Sequence, residues 1–149
     1  MPQVPLLQVP RPPSSSGNSW KTPRYVVTGV ELWLGDRFTL DAAASEANAL
    51  ADRFISHEED ALTHVPWPGE PGVAWLNPPY SKQGGGQLAW AERAHLASVR
   101  GWTVALLIPA APTTRCGVFC GLNADEILYT AGRIGFIDPT TGRPIRNNP

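Results

Sequence analysis

Asn77, Pro78, Pro79 and Tyr80 are the residues whose types and order point most directly to chemistry. They follow Val73-Ala74-Trp75-Leu76, an apolar run of strand length. Two successive prolines must end that strand, because neither has an N–H for the ladder and each holds the residue before it extended. The result is a stiff tip that presents an amide side chain, backbone carbonyls with few internal partners and an aromatic ring. Such a tip suits an amine attached to a flat, conjugated ring. That amine is a poor nucleophile because its lone pair is delocalised. If the Asn77 side-chain oxygen and the Pro78 carbonyl accept its two N–H bonds, the nitrogen is drawn toward tetrahedral geometry and its lone pair turns to an electrophile. Tyr80 would stack on the ring. This is catalysis by positioning and fixed dipoles, with no covalent enzyme intermediate. A turn in a chain of 16 prolines could carry the same four residues, so the surroundings must decide.

The elements around the tip supply that context. Trp20-Lys21-Thr22-Pro23 opens the folded part, with Thr22 as N-cap and Pro23 at the first helical position. Val26, Val30, Trp33 and Leu34 keep helical spacing, and Gly35 stops the helix. A helix N-terminus behind a tryptophan is also a place for a carboxylate ligand. Arg37-Phe38-Thr39-Leu40-Asp41 alternates like a strand ending on an acid, and Ala42 to Ala47 has helical composition. In an open α/β sheet, an acid and small side chains at a strand's carboxyl end suit a nucleotide-like ligand, although the glycine-rich fingerprint is absent. An acid capping a helix is the equal alternative.

Phe54-Ile55-Ser56 suggests a short strand, and His57-Glu58-Glu59-Asp60 an acidic loop, within which Asp60 could accept from the adenine amino group of a cofactor. Pro66 to Gly72 is turn-rich. Ser81 to Gly86 reads as a mobile polar loop rather than a phosphate cradle, since no Lys-Ser or Lys-Thr follows the glycines. Gln87 to Arg100 is predicted helical, with His95 on its surface. Thr103 to Ile108 is predicted as a fully buried strand stopped by Pro109, and residues 113–123 as an irregular or helical link. Glu126-Ile127-Leu128-Tyr129 and Arg133-Ile134-Gly135-Phe136 are predicted as closing strands. Strands alternating with helices predict an α/β fold, a mostly parallel sheet with helices on both faces.

Composition bounds the rest. A chain of 149 residues, 42% hydrophobic, can bury one core and predicts one domain. Residues 1–19, rich in proline and serine, are expected to be a disordered leader, with the domain over 20–149. A net charge of -1 gives no global basic field, so nucleic-acid binding would need a local cluster. Cys116 and Cys120 have neither zinc nor disulfide-framework spacing and read as reduced packing residues. No secretory signal pattern or membrane-length apolar run is present, so a cytoplasmic location is expected, with no membrane and no metal.

With these pieces in order, the chain resembles the phage-type DNA N-6-adenine methyltransferases from Trp20 to about Ile137. The resemblance rests on Trp20-Lys21-Thr22-Pro23, Phe38 to Ser45, Glu59-Asp60-Ala61-Leu62, Asn77 to Ser81 and Gly132 to Phe136. It implies a Rossmann-like fold that uses S-adenosylmethionine. Thr22, Pro23, Asp41, Ala42 and Ala43 would hold the cofactor's amino-acid end, and Asp60 its adenine end, with Trp20 and Asn77 as further cofactor contacts. Asn77, Pro78, Pro79 and Tyr80 would carry the catalysis on an adenine flipped from double-stranded DNA. Ser81, Lys82 and Arg133 are the candidates for further substrate contacts, although Lys82 and Arg133 could equally be ordinary surface charges. The resemblance also implies one more strand beyond Arg146-Asn147-Asn148-Pro149. Without it, a sheet would keep an unpaired edge that a second protomer could complete. The tip alone leaves two alternatives open: another planar amine as substrate (cytosine N4, an RNA base or a glutamine amide), or a binding module without turnover.

Overall fold

The computed structural model describes residues 20–64, 66–80 and 85–145, so the proposed leader, Ser81 and Lys82 lie outside the described residues. Six elements follow in order: α1 (Arg24–Leu34), β1 (Leu40–Asp41), β2 (Val73–Leu76), α2 (Gly86–Val99), β3 (Thr103–Leu106) and α3 (Arg115–Asn123). The three strands form one parallel sheet in the order β1-β2-β3. Leu40 pairs with Ala74 and Asp41 with Trp75, while Val73 to Leu76 run beside Thr103 to Leu106.

The central strand explains the architecture. All four β2 residues are buried, yet they alternate between two cores. Ala74 and Leu76 join Leu40, Ile55, Trp67, Trp102 and the α2 residues Trp90, Ala94 and Ala97. Val73 and Trp75 face the other way, against Phe38 and the α1 residues Val27, Val30 and Leu34. A parallel strand covered on both faces must be apolar throughout, which is why Val-Ala-Trp-Leu shows no polar alternation. The expected α/β sheet with helices on both faces is therefore present, in a three-stranded form.

Several expectations fail locally, each for a physical reason. α1 is capped by Pro23 with extended backbone and no side-chain hydrogen bond, so Thr22 is not its N-cap and Pro23 is not its first helical residue. Thr22 is instead buried and turned toward β2. Gly35 ends the helix as expected, at φ 69°, where a side chain would be strained. Residues 42–47 form turns and not a helix. Asp41 takes the N–H groups of Ala43 and Leu50, and Asn48 takes the Ser45 N–H, so side chains replace helical bonding. The Phe54–Ser56 strand is reduced to a single parallel bridge between Phe54 and Asp41.

The carboxyl-terminal third departs furthest. β3 ends at Leu106 and is only partly buried, not the fully buried strand expected. Residues 126–129 and 133–136 form no strands. Ile127, Leu128 and Tyr129 are exposed, and among the described residues none pairs with the outer edge of β3. Their β-forming composition is local, and a strand also needs an edge to pair with. What ties this segment down is the hydrogen bond from Trp33 Nε1 in α1 to Glu126 Oε2, 2.6 Å, and two antiparallel bridges, Ile137 with Lys21 and with Pro144. No described helix is long and apolar enough to cross a membrane.

Candidate active site at the carboxyl ends of β1 and β2

The site begins where β2 stops. Leu76 is held in the ladder by the N–H of Leu107, 2.9 Å from the Leu76 carbonyl, and the chain then enters Asn77-Pro78-Pro79-Tyr80. The Pro78 ring is fully buried while Asn77 and Tyr80 are half-buried, so the corner is anchored through its proline and offers its polar groups outward. Asn77 Nδ2 donates to Thr22 Oγ1 at 3.4 Å, and the Tyr80 hydroxyl donates to Asn77 Oδ1 at 3.4 Å. Both are long, as hydrogen bonds in a site without substrate often are. Together they fix which way the Asn77 amide faces: its nitrogen toward Thr22, its oxygen toward Tyr80. Among the described residues the Pro79 carbonyl accepts from Gln87 Nε2 at 3.2 Å, whereas the Pro78 carbonyl accepts no hydrogen bond.

An aromatic wall stands beside the amide. Tyr80 meets Phe136 edge-on, with ring centroids 6.2 Å apart, and Phe136 meets Trp20 at 6.3 Å. Phe136 reaches this place because Lys21 and Ile137 exchange backbone hydrogen bonds of 2.8 and 2.9 Å. Burial pushes the Tyr80 hydroxyl above its usual range, so it remains a neutral donor.

Asp41 lies in the adjacent strand, in register with Trp75, and is 3% exposed. Its two oxygens accept from Ala43 N at 3.3 Å and Leu50 N at 3.1 Å. Burial nevertheless dominates and raises its pKa from 3.8 to about 6, with the two backbone hydrogen bonds pulling the other way. Ala42 is fully buried and its N–H goes to Trp75 O, so it locks β1 to β2, and Ala43 is half-buried. A cavity of about 260 Å³ opens between Lys21-Thr22-Pro23-Arg24 and Asn48-Ala49-Leu50, closed at one side by Ile137. Its walls therefore reach Asn77 through Thr22 and Asp41 through Leu50.

Thr22, Pro23, Asp41, Asn77 and Tyr80 are thus brought to one end of the sheet, with Trp20 joined to them through Phe136. Asp60 sits apart in its own turn, at φ 51°, accepting from Leu62 N and Thr63 Oγ1, and Arg93 bonds the Leu62 carbonyl beside it. Arg133 is exposed in the segment before Phe136. Sequence reasoning did not single out Phe136, Leu50 or Gln87. Phe136 lay inside a segment read as a strand, and its ring contacts depend on the Lys21–Ile137 bridge, which joins residues 116 positions apart by their numbers. Leu50 and Gln87 carry no local signal at all. Cys116 and Cys120 are free cysteines, Cys116 buried with its thiol pushed up to about 11, chiefly by burial. Among the described residues no group of three or more His, Cys, Asp or Glu side chains could hold a metal ion.

Comparison with known proteins adds the family. The family model for DNA N-6-adenine-methyltransferase (Dam) matches residues 11–149. A DNA N-6-adenine-methyltransferase of Haemophilus phage HP1 (strain HP1c1) is 35% identical over 136 residues, covering 90% of this chain and 75% of that protein. A protein of the same description from Escherichia phage T1 is 30% identical over 151 residues, covering 91% of this chain and 60% of its own length. No solved structure matches. A match along nearly the whole length places this chain in the DNA N-6-adenine-methyltransferase (Dam) family.

Proposed function

We propose that this protein transfers a methyl group from S-adenosylmethionine to the N6 amine of an adenine in DNA, with the adenine turned out of the duplex to reach the Asn77 corner. The observation that carries this reading is the Thr22–Asn77–Tyr80 hydrogen-bonded chain at the end of β2, one strand away from the buried Asp41. Family membership supplies the reaction class, and the corner supplies a physical means. The three strands are read as the centre of a Rossmann-like methyltransferase sheet, whose ligands lie outside the carboxyl ends of its strands.

The residues fit a cofactor that carries both a carboxylate and positive groups, since Lys21 and Arg24 line the cavity and Asp41 lies behind Leu50 at its wall. A carboxylate as buried as Asp41 is held partly protonated in its own fold, and a positive group nearby would favour the charged form. Thr22 and Pro23 form one wall of the adjoining cavity, Trp20 directly precedes that wall in sequence, and Ala42 and Ala43 follow Asp41. Asp60, in its tight turn, is assigned the adenine end. When bound, the cofactor would supply an electrophilic methyl on a positive sulfur that leaves as a neutral thioether, so the attacking amine needs no strong base beforehand and loses one proton to water after its N–C bond forms.

The chain's own residues do the positioning. Asn77 Oδ1, aimed by the Thr22 bond to its nitrogen, accepts one N–H of the target amine in place of the Tyr80 hydroxyl. The Pro78 carbonyl accepts the other. Pro79 keeps the corner extended, and Tyr80, backed by Phe136, stacks on the base. Ser81, Lys82 and Arg133 are assigned to further contacts with DNA. Methyl donor labelled on its methyl group, incubated separately with DNA, RNA and protein, tests the assignment. Label appearing in DNA as N6-methyladenine is the expected result. Label in RNA or protein alone overturns the substrate, and label in none overturns the enzyme.

A further inference from the structure

Gln87 stands in the first turn of α2 and lines a second cavity, of about 410 Å³, with Leu88, Ile108, Pro109 and Arg115. Its amide makes one hydrogen bond, from Nε2 to the Pro79 carbonyl. Its oxygen, Oε1, is buried and has no partner among the described residues. The orientation is not arbitrary, because turning the amide over would set its oxygen against the Pro79 oxygen.

As a folding device this is a poor choice. A buried acceptor without a donor costs more than one neutral hydrogen bond returns, so an isosteric apolar side chain would serve the core better. The bond must therefore matter for what it holds. The corner is anchored at its start by the β2–β3 ladder, through Leu107 N and the Leu76 carbonyl, and three residues later by Gln87 at the Pro79 carbonyl. Between these two anchors lie Asn77 and the open Pro78 carbonyl. Thr22 and Tyr80 orient the Asn77 side chain, but neither side chain hydrogen-bonds the backbone that aims the Pro78 carbonyl.

We propose that Gln87 is a positioning residue for methyl transfer, fixing the Pro79 peptide so that the Pro78 carbonyl and the Asn77 amide hold the two N–H bonds of the target amine together. The inference rests on the function proposed above and deepens it. Gln87 does not touch the reacting atoms. It removes backbone freedom from the group that does.

Two variants test it. Gln87→Met keeps length and bulk but neither donates nor accepts. Its melting temperature should equal or exceed that of the parent, while kcat falls about ten-fold or more with the KM for the methyl donor unchanged. Gln87→Glu repels the Pro79 carbonyl when ionised and donates to it when protonated. Its kcat, divided by that of Gln87→Met at each pH, should rise as pH falls from about 8.5 to about 6, since partial burial lifts a carboxyl toward that window.

The neighbouring groups leave this ratio readable. Tyr80 and Cys116 are shifted upward by burial, away from this window. Asp41 does titrate near the lower limit, but it is common to both variants and cancels. Parental kcat in Gln87→Met, a flat ratio, or a loss of melting temperature that accompanies the loss of rate would overturn the proposal. These outcomes concern the variants alone. If the parent fails to methylate any DNA adenine, the function itself fails, and this inference with it.

Discussion

The carboxyl edge of the sheet has two dissimilar sides. Beside β1 and β2, polar groups are committed, with Asp41 and Thr22 buried and Asn77 and Tyr80 half-buried: Asp41 to Ala43 and Leu50, Thr22 to Asn77, Tyr80 to Asn77. Beyond β3 in the chain, Val118, Leu122, Ile127, Leu128 and Tyr129 are exposed, and β3 itself is only partly covered. Buried polar groups are retained only where partners hold them in place, so the first side is a preorganised site. The second side is apolar, but nothing there converges on a point. Chemistry is therefore expected to respond sharply to changes on the first side and hardly at all to changes on the second.

The largest effect should come from Asn77→Ala. It removes the acceptor for the target amine and should lower kcat by about 100-fold or more, as loss of a preorganised polar group does elsewhere, while binding of the methyl donor measured by calorimetry stays nearly unchanged. Tyr80→Ala should follow, with a loss of roughly ten-fold to 100-fold in kcat/KM for DNA, since base–aromatic stacking is worth about 1–3 kcal/mol. Tyr80→Phe keeps the ring and should recover most of that loss, which separates stacking from the hydrogen bond to Asn77. Thr22→Val keeps shape but removes the acceptor for Asn77 Nδ2, and a fall of about five-fold in kcat is expected from one neutral hydrogen bond.

Asp41 gives a pH signature. Its folded pKa of about 6 stands above the ordinary 3.8, so its stabilising contribution is complete below about pH 3.8 and is lost as pH rises through 6. The span corresponds to roughly 3 kcal/mol. In the absence of cofactor, the melting temperature of Asp41→Asn relative to the parent should therefore be higher at pH 8 than at pH 4, a comparison in which the one backbone N–H that an amide nitrogen cannot accept cancels. With cofactor the sign reverses. Affinity of the parent for the cationic methyl donor should rise with pH through about 6, and the Asn variant should lose that rise. The smallest effect belongs to the other side of the sheet. Leu128→Ser and Leu122→Ser, both at exposed positions, should change stability by no more than about 0.5 kcal/mol and leave methyl transfer as it was. A large loss of activity from either would break the contrast between the two sides.

How legible this was depends on where the deciding interactions lie in the chain. β2 and the corner were readable because their constraints are local: four apolar residues, then two prolines that cannot extend a ladder. The helices around Val27 and Trp90 were readable from spacing and from Gly35. The Ala42–Ala47 turn was not, because alanine-rich composition favours a helix until Asp41 and Asn48 take up the backbone N–H groups. The strands expected at 126–129 and 133–136 were not, because β-propensity describes a residue and a strand is a property of a pair. Within the site, Thr22 looked like a helix cap until burial turned it toward Asn77, 55 residues away. Gln87 could not be found from sequence at all, since what marks it is an oxygen with no partner among the described residues.

The central claim is that the Asn77 corner holds a DNA adenine amine for methyl transfer. The most direct test is nucleoside mass spectrometry of adenine-containing duplex DNA after incubation with S-adenosylmethionine and either the parent protein or Asn77→Ala. N6-methyladenine accumulating with the parent and all but absent with the variant, at equal folded protein, is the result this account predicts. Equal N6-methyladenine from both proteins, or none from the parent across DNA of varied sequence, would contradict it.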